Sequence, residues 1–141
     1  MKTILETAAR KAGATEVIYD REAMQNILLD EKKRGDVICL IDEFDESEFI
    51  LNSNGIDDAV MIKIAFISQV NFEEVANMNY GLLKSLRTCS KSFVANLIKT
   101  GLIKGLKTIP VNKFQEPQSD FNAIGWSMTF KAIDLYGYVQ C

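Results

Sequence analysis

The sequence predicts an α+β domain: an antiparallel sheet packed on one long α-helix, with short N-terminal helices. Three observations carry this reading. A single apolar stripe of Val75, Met78, Leu82, Leu86, Cys89, Phe93 and Leu97 steps by three or four residues, the period of a helix. Ahead of it, Val60, Ile62, Ile64 and Phe66 fall on one face of a run whose other face holds Lys63 and Gln69. Behind it, Ile124, Trp126, Met128, Phe130 and Ala132 alternate with Gly125, Ser127, Thr129 and Lys131. Period two is the signature of a strand.

The elements follow in order. Ile4, Leu5, Ala8 and Ala12 predict a short amphipathic helix over 3–12 that stops at Gly13. "TEVIYD" is a brief β-prone stretch. Asp20 is placed to cap a second helix over 21–33, with Met24, Ile27 and Leu28 inward and basic residues near Gly35 at its end. "DVICLID" (36–42) reads as a buried strand, followed by an acidic loop. "FIL", the turn signal "NSNG" and the run 59–70 then form a hairpin over 47–70.

Asn71 is a good N-cap, with Glu73 and Glu74 in the first turn, so the long helix is expected from there to Gly101. Residues 106–114 predict a strand that Pro110 confines to an edge or a bulge. "EPQSD" is a turn before the closing strand. After Ala132 the alternation slips, because Ile133 and Leu135 fall on the formerly polar side. Either a one-residue bulge or a second covered face accounts for that slip.

Composition bounds the function. The 141 residues are 48% hydrophobic and 25% charged, which suits one domain over 1–141 burying about two-thirds of its unfolded surface. No run of ~18 apolar residues suggests a membrane span. "MKTILETAARKAG" is broken by charge and does not read as a secretory signal. Histidine is absent, which removes the usual general base, the usual partner of a Ser or Cys nucleophile and the commonest metal ligand. Cys39, Cys89 and Cys141 lie too far apart for a zinc pattern, and the first two fit a core as small hydrophobes in a reducing cytoplasm.

No stretch carries a known chemistry. Asp42, Glu43, Asp45, Glu46 and Glu48 are acidic enough to attract a hard cation, yet they lack the spacing of an EF-hand loop and read better as a solvated or interacting surface. "GLIKGLK" has glycines and lysines without a phosphate-binding pattern. Trp126 reads as a core residue, with a ligand pocket beside it as the alternative. Gly125, on the other face, weakens a strand unless something packs there. No catalytic residue, metal or cofactor is expected. An enzyme working through carboxylates or Lys63 is the remaining class, and the sequence supplies no activating partner for it.

Charge is divided along the chain. Residues 1–60 hold 7 Lys/Arg and 14 Asp/Glu, a net −7, while residues 61–141 hold 9 and 5, a net +4. An acidic and a basic half on one small domain suit head-to-tail contact between identical subunits. The overall charge of −3 argues against a dedicated nucleic-acid binder.

The order of elements resembles that of the small tail-terminator, tail-completion and neck proteins of tailed bacteriophages. The likeness rests on "VMIKIAFISQVNFEEVANMNYGLLKSL", a strand running into a long helix, and on "AIGWSMTFKAIDL" as the closing strand. The resemblance implies a non-enzymatic virion protein, made in the bacterial cytoplasm, that forms a ring at the end of a tail or at the head–tail neck. Six copies are expected, with twelve as the alternative. Its partners would be itself and other tail or neck proteins, with DNA passing through the lumen as cargo and no membrane involved. The interface expected on this reading combines Asp42, Glu43, Asp45, Glu46 and Glu48 with Lys84, Arg87 and Lys91 of the long helix and with Gly125. The alternative function is a non-catalytic binding module with an apolar pocket near Trp126.

Overall fold

The computed structural model describes residues 2–19, 36–70, 80–103, 106–117 and 122–140. The chain forms α1 (Lys2–Lys11), β1 (Glu16–Ile18), β2 (Ile38–Asn52), β3 (Gly55–Val70), α2 (Tyr80–Thr100), β4 (Val111–Pro117) and β5 (Asn122–Gln140). These elements make the α+β fold that the sequence predicts. The helix expected over 21–33 and the start of the long helix at Asn71 lie outside the described residues.

Among the described residues the sheet has five strands in the order β1-β2-β3-β5-β4. It is mixed rather than wholly antiparallel, because β1 runs parallel to β2, with Val17 opposite Cys39. β3 and β5 are the longest-paired strands and occupy the centre. β4 lies at the edge and begins directly after Pro110, whose missing N–H would leave a gap in an inner ladder. The strand expected over 106–114 is therefore displaced toward the C-terminus.

One face of the sheet carries the main core. Cys39 and Ile41 from β2, Ile62, Ile64 and Phe66 from β3, and Met128, Phe130 and Ala132 from β5 are buried in a single cluster with the helices. α1 contributes Leu5, Ala8 and Ala9 to it and ends at Gly13, whose φ of 113° only glycine adopts without strain. α2 buries Leu83, Leu86, Ser90, Phe93 and Leu97, at helical spacing. Ser90 is accommodated because its hydroxyl donates to the Leu86 carbonyl at 2.9 Å. Phe93 meets Phe66 edge to face, with ring centroids 5.4 Å apart. The predicted stripe is thus rotated slightly, with Leu83 fully inside and Leu82 and Cys89 half-buried.

The opposite face is also covered, at the end where β2 begins and β3 ends. Ile18, Ile38, Ala65, Ile67 and Ala123 form a second buried cluster there. The slip in the alternation of β5 is not a bulge. Pairing with β3 runs unbroken from Asn122 to Asp134, so no bulge lies at Ala132, and Ile133 is simply buried on the second face. Its amide donates to the Leu102 carbonyl at 2.7 Å, which closes the β5 edge beyond the reach of β4. The irregularity in β5 lies farther on, between the pairs Asp58–Asp134 and Ile56–Val139.

The acidic segment corrects the expected loop. Residues 42–48 lie within β2, and the strand continues to Asn52 and turns through Ser53 and Asn54 into β3. A register irregularity between Glu43 and Ser47 absorbs the stretch. Backbone pairing to β3 on either side of it, at Glu43 and at Ser47, anchors the strand, and charge on a strand is tolerated wherever a face or an edge meets water.

Candidate functional site

Two surfaces stand out from the core. The first is a groove between α2 and the segment leading into β4. Arg87, Lys91, Val94 and Ile98 project from one side of α2, at the spacing of a single helix face. Leu106, Lys107 and Ile109 form the facing wall, and Val111 and Met128, paired across β4 and β5, line its inner end. The cavity has a volume of about 480 Å³, within the size of small-ligand sites. Its lining is apolar with three cations, Arg87, Lys91 and Lys107, and no Asp or Glu among the described residues.

Trp126 sits next to this groove and ties it to the fold. Its indole Nε1 donates to the Leu83 carbonyl at 2.8 Å, and the Arg87 guanidinium lies over its ring at 4.5 Å from the centroid. Trp126 is half-buried rather than a full core residue, so the expectation of an interior position is corrected in part. Its ring joins sheet to helix and orients the first cation of the groove. Lys84 is exposed three residues before Arg87, in the same row.

The second surface is an arm. β2, β3 and the end of β5 carry the sheet onward to the Ser53–Asn54 turn. Phe49 and Leu51 are 72% and 77% exposed there, values that the fold of the monomer does not require. They lie opposite Asp58 and Ile56, so these four residues share one face. That face continues the one which, farther along β3, holds Ile62, Ile64 and Phe66 against the helices. Asp57, on the other face, accepts a hydrogen bond from Asn52 at 2.9 Å.

Among the described side chains, the residues predicted to form an interface do not come together as one patch. Asp42 pairs across the sheet with Lys63 and is half-buried. Glu48 forms a salt bridge with Lys131, spanning β3 on the face away from the helices. Glu43, Asp45 and Glu46 belong to β2, and their side chains lie outside the described residues. Lys84, Arg87 and Lys91 are exposed on α2, as a basic face should be.

Gly125 has an internal explanation. It is buried opposite Ile67, and a Cβ there would be driven into the Phe66 carbonyl oxygen and to within 2.8 Å of the Ile67 Cα. The missing side chain admits the chain's own β3, so the expectation of a neighbour packing at Gly125 is replaced by a close strand approach.

Cys39 is fully buried, and burial pushes its thiol well above the ordinary value. Burial also raises Cys89, with a backbone hydrogen bond acting the other way. Cys141 lies outside the described residues. Among the described residues no three His, Cys, Asp or Glu side chains lie together as a metal would require.

Sequence reasoning missed Phe49, Leu51, Ile98 and Lys107. The run "EFILNSNG" alternates too briefly to say which apolar residues face water. The groove assembles positions 87 to 128 only through the fold. No family model matches this sequence, and no curated protein matches it.

Proposed function

We propose that the chain is a structural subunit of a bacteriophage tail or head–tail neck, assembling with its own copies into a ring around the DNA channel. The observation that carries this reading is the arm. Three strands extend the core-bearing face of the sheet to a tip where Phe49 and Leu51 are exposed beside Asp58. Elsewhere on the chain lies a groove of the opposite character, apolar and cationic. Two unlike surfaces on one subunit make heterologous contacts, which repeat around a ring when the rotation closes. The phage assignment adds the resemblance in element order, from the β3–α2 passage to β5.

Negative-stain imaging of the purified chain tests the reading. Closed rings with a central hole are expected. A field of single small particles at concentrations where the chain is folded contradicts it.

The groove beside Trp126 favours a second reading, a binding module that takes a small ligand with an apolar body and an anionic end. That reading expects Trp126 emission to respond to such a ligand and the chain to remain a monomer or dimer.

A further inference from the structure

We infer that the groove between α2 and the lead-in to β4 is the seat for the β2–β3 arm of a second copy of this chain. The inference rests on the ring reading and specifies the contact that would build it. The two surfaces match in chemistry. The groove offers an apolar lining, with Val94, Ile98 and Ile109 among its residues, and the cations Arg87, Lys91 and Lys107. The arm offers Phe49 and Leu51 on one face with the Asp58 carboxylate, and Asp57 on the other. Inserting the two side chains would remove their exposed apolar surface from water and bring the carboxylates toward the cations.

The chain's own arm does not fill its groove, because Phe49 and Leu51 stay exposed in the single chain. Met128 of the groove pairs across the sheet with Ile64, and Ile56, opposite Leu51, lies eight positions from Ile64 along the same strand. At ~3.4 Å per residue this puts the tip roughly 27 Å from the groove's inner end. The outer end is nearer, since Leu102, next to the lining residue Ile103, bonds to Ile133 opposite Ala59, yet Phe49 and Leu51 stay exposed. The contact must therefore be made between copies. Since each copy has one arm and one groove, it is heterologous and propagates.

Two exposed-site variants separate the halves of the contact. Phe49→Asp with Leu51→Asp blocks the arm, and Lys91→Glu with Ile98→Asp blocks the groove. Circular dichroism first establishes that both keep the wild-type fold. Each alone is expected to fall from the mass of the ring to that of one chain. Mixed one to one, they retain one intact arm and one intact groove, and are expected to form a complex of two copies that grows no further.

Rings that survive both blocks overturn the contact and leave the ring reading standing. If dodecanoate then changes Trp126 emission in the wild type and not in the groove variant, the groove belongs to a small acyl anion instead. A wild-type chain that stays monomeric at the highest attainable concentration overturns both.

Discussion

Trp126 donates its indole N–H to the backbone carbonyl of Leu83 at 2.8 Å, fastening the central strand β5 to the helix α2. The bond places the indole ring under the Arg87 guanidinium and so fixes one end of the cationic groove. A residue that reads in sequence as part of a core stripe thus becomes the joint between the two layers.

Replacing Trp126 with Phe keeps an aromatic ring and removes the donor. The expected loss is about 1 kcal/mol of stability, the usual net worth of one hydrogen bond, with a further small loss from the weaker cation–π contact. Urea unfolding followed by circular dichroism measures it. A variant as stable as the wild type would show that the bond is incidental.

Gly125→Ala is expected to be far more damaging, because the added methyl group meets backbone rather than a flexible side chain. A loss of about 3 kcal/mol or more is expected. The midpoint of thermal unfolding reports it. An unchanged midpoint would mean that β3 and β5 separate easily at this pair, contrary to their continuous ladder.

Cys39 gives a pH prediction whose sign is fixed. The native state keeps the thiol proton, while the unfolded chain releases it near the ordinary value of 9.0. Above that value the unfolded state binds fewer protons, so stability falls as pH rises, and below it this thiol contributes no pH dependence. The limiting slope is about 1.4 kcal/mol per pH unit. Comparison with Cys39→Ala cancels the titration of lysines and tyrosines. The wild type should lose stability more steeply than the variant above pH ~9. Equal slopes would contradict the buried, protonated thiol.

Charge reversal at Asp45 and Glu46 is expected to weaken assembly while leaving the monomer folded, since both belong to the acidic stretch of β2. Sedimentation of the double variant checks this. Unchanged oligomer size would contradict a role for this stretch in the contact.

The parts of the fold legible in sequence are those with long, uninterrupted periodicity. α2 presents Leu86, Phe93 and Leu97 at helical spacing, and β3 and β5 alternate over many residues with few exceptions. The parallel pairing of β1 was not legible, because three residues carry no period and the direction of pairing leaves no local mark. Residues 43–46 failed for another reason. Their charges resemble a loop, whereas the strand runs through them between the pairs Glu43–Ile62 and Ser47–Val60.

The candidate site was legible in fragments. The basic face of α2 at Lys84, Arg87 and Lys91 could be read from its spacing, whereas its meeting with Lys107, Val111 and Met128 depends on tertiary packing. Gly125 was recognised as needing a reason. The reason, the carbonyl of Phe66, is far away in the chain and close only in the sheet.

The most direct test of the ring account is the solution mass of the purified chain by light scattering, at low and at moderate salt. Six copies of the 15.8 kDa chain give a mass of about 95 kDa, and twelve give twice that. The account predicts one of these closed masses at low salt. It also predicts partial dissociation as salt screens the charged part of the contact, the Debye length falling from ~30 Å at 0.01 M to ~8 Å at 0.15 M. A mass of one chain at both salt concentrations would contradict it.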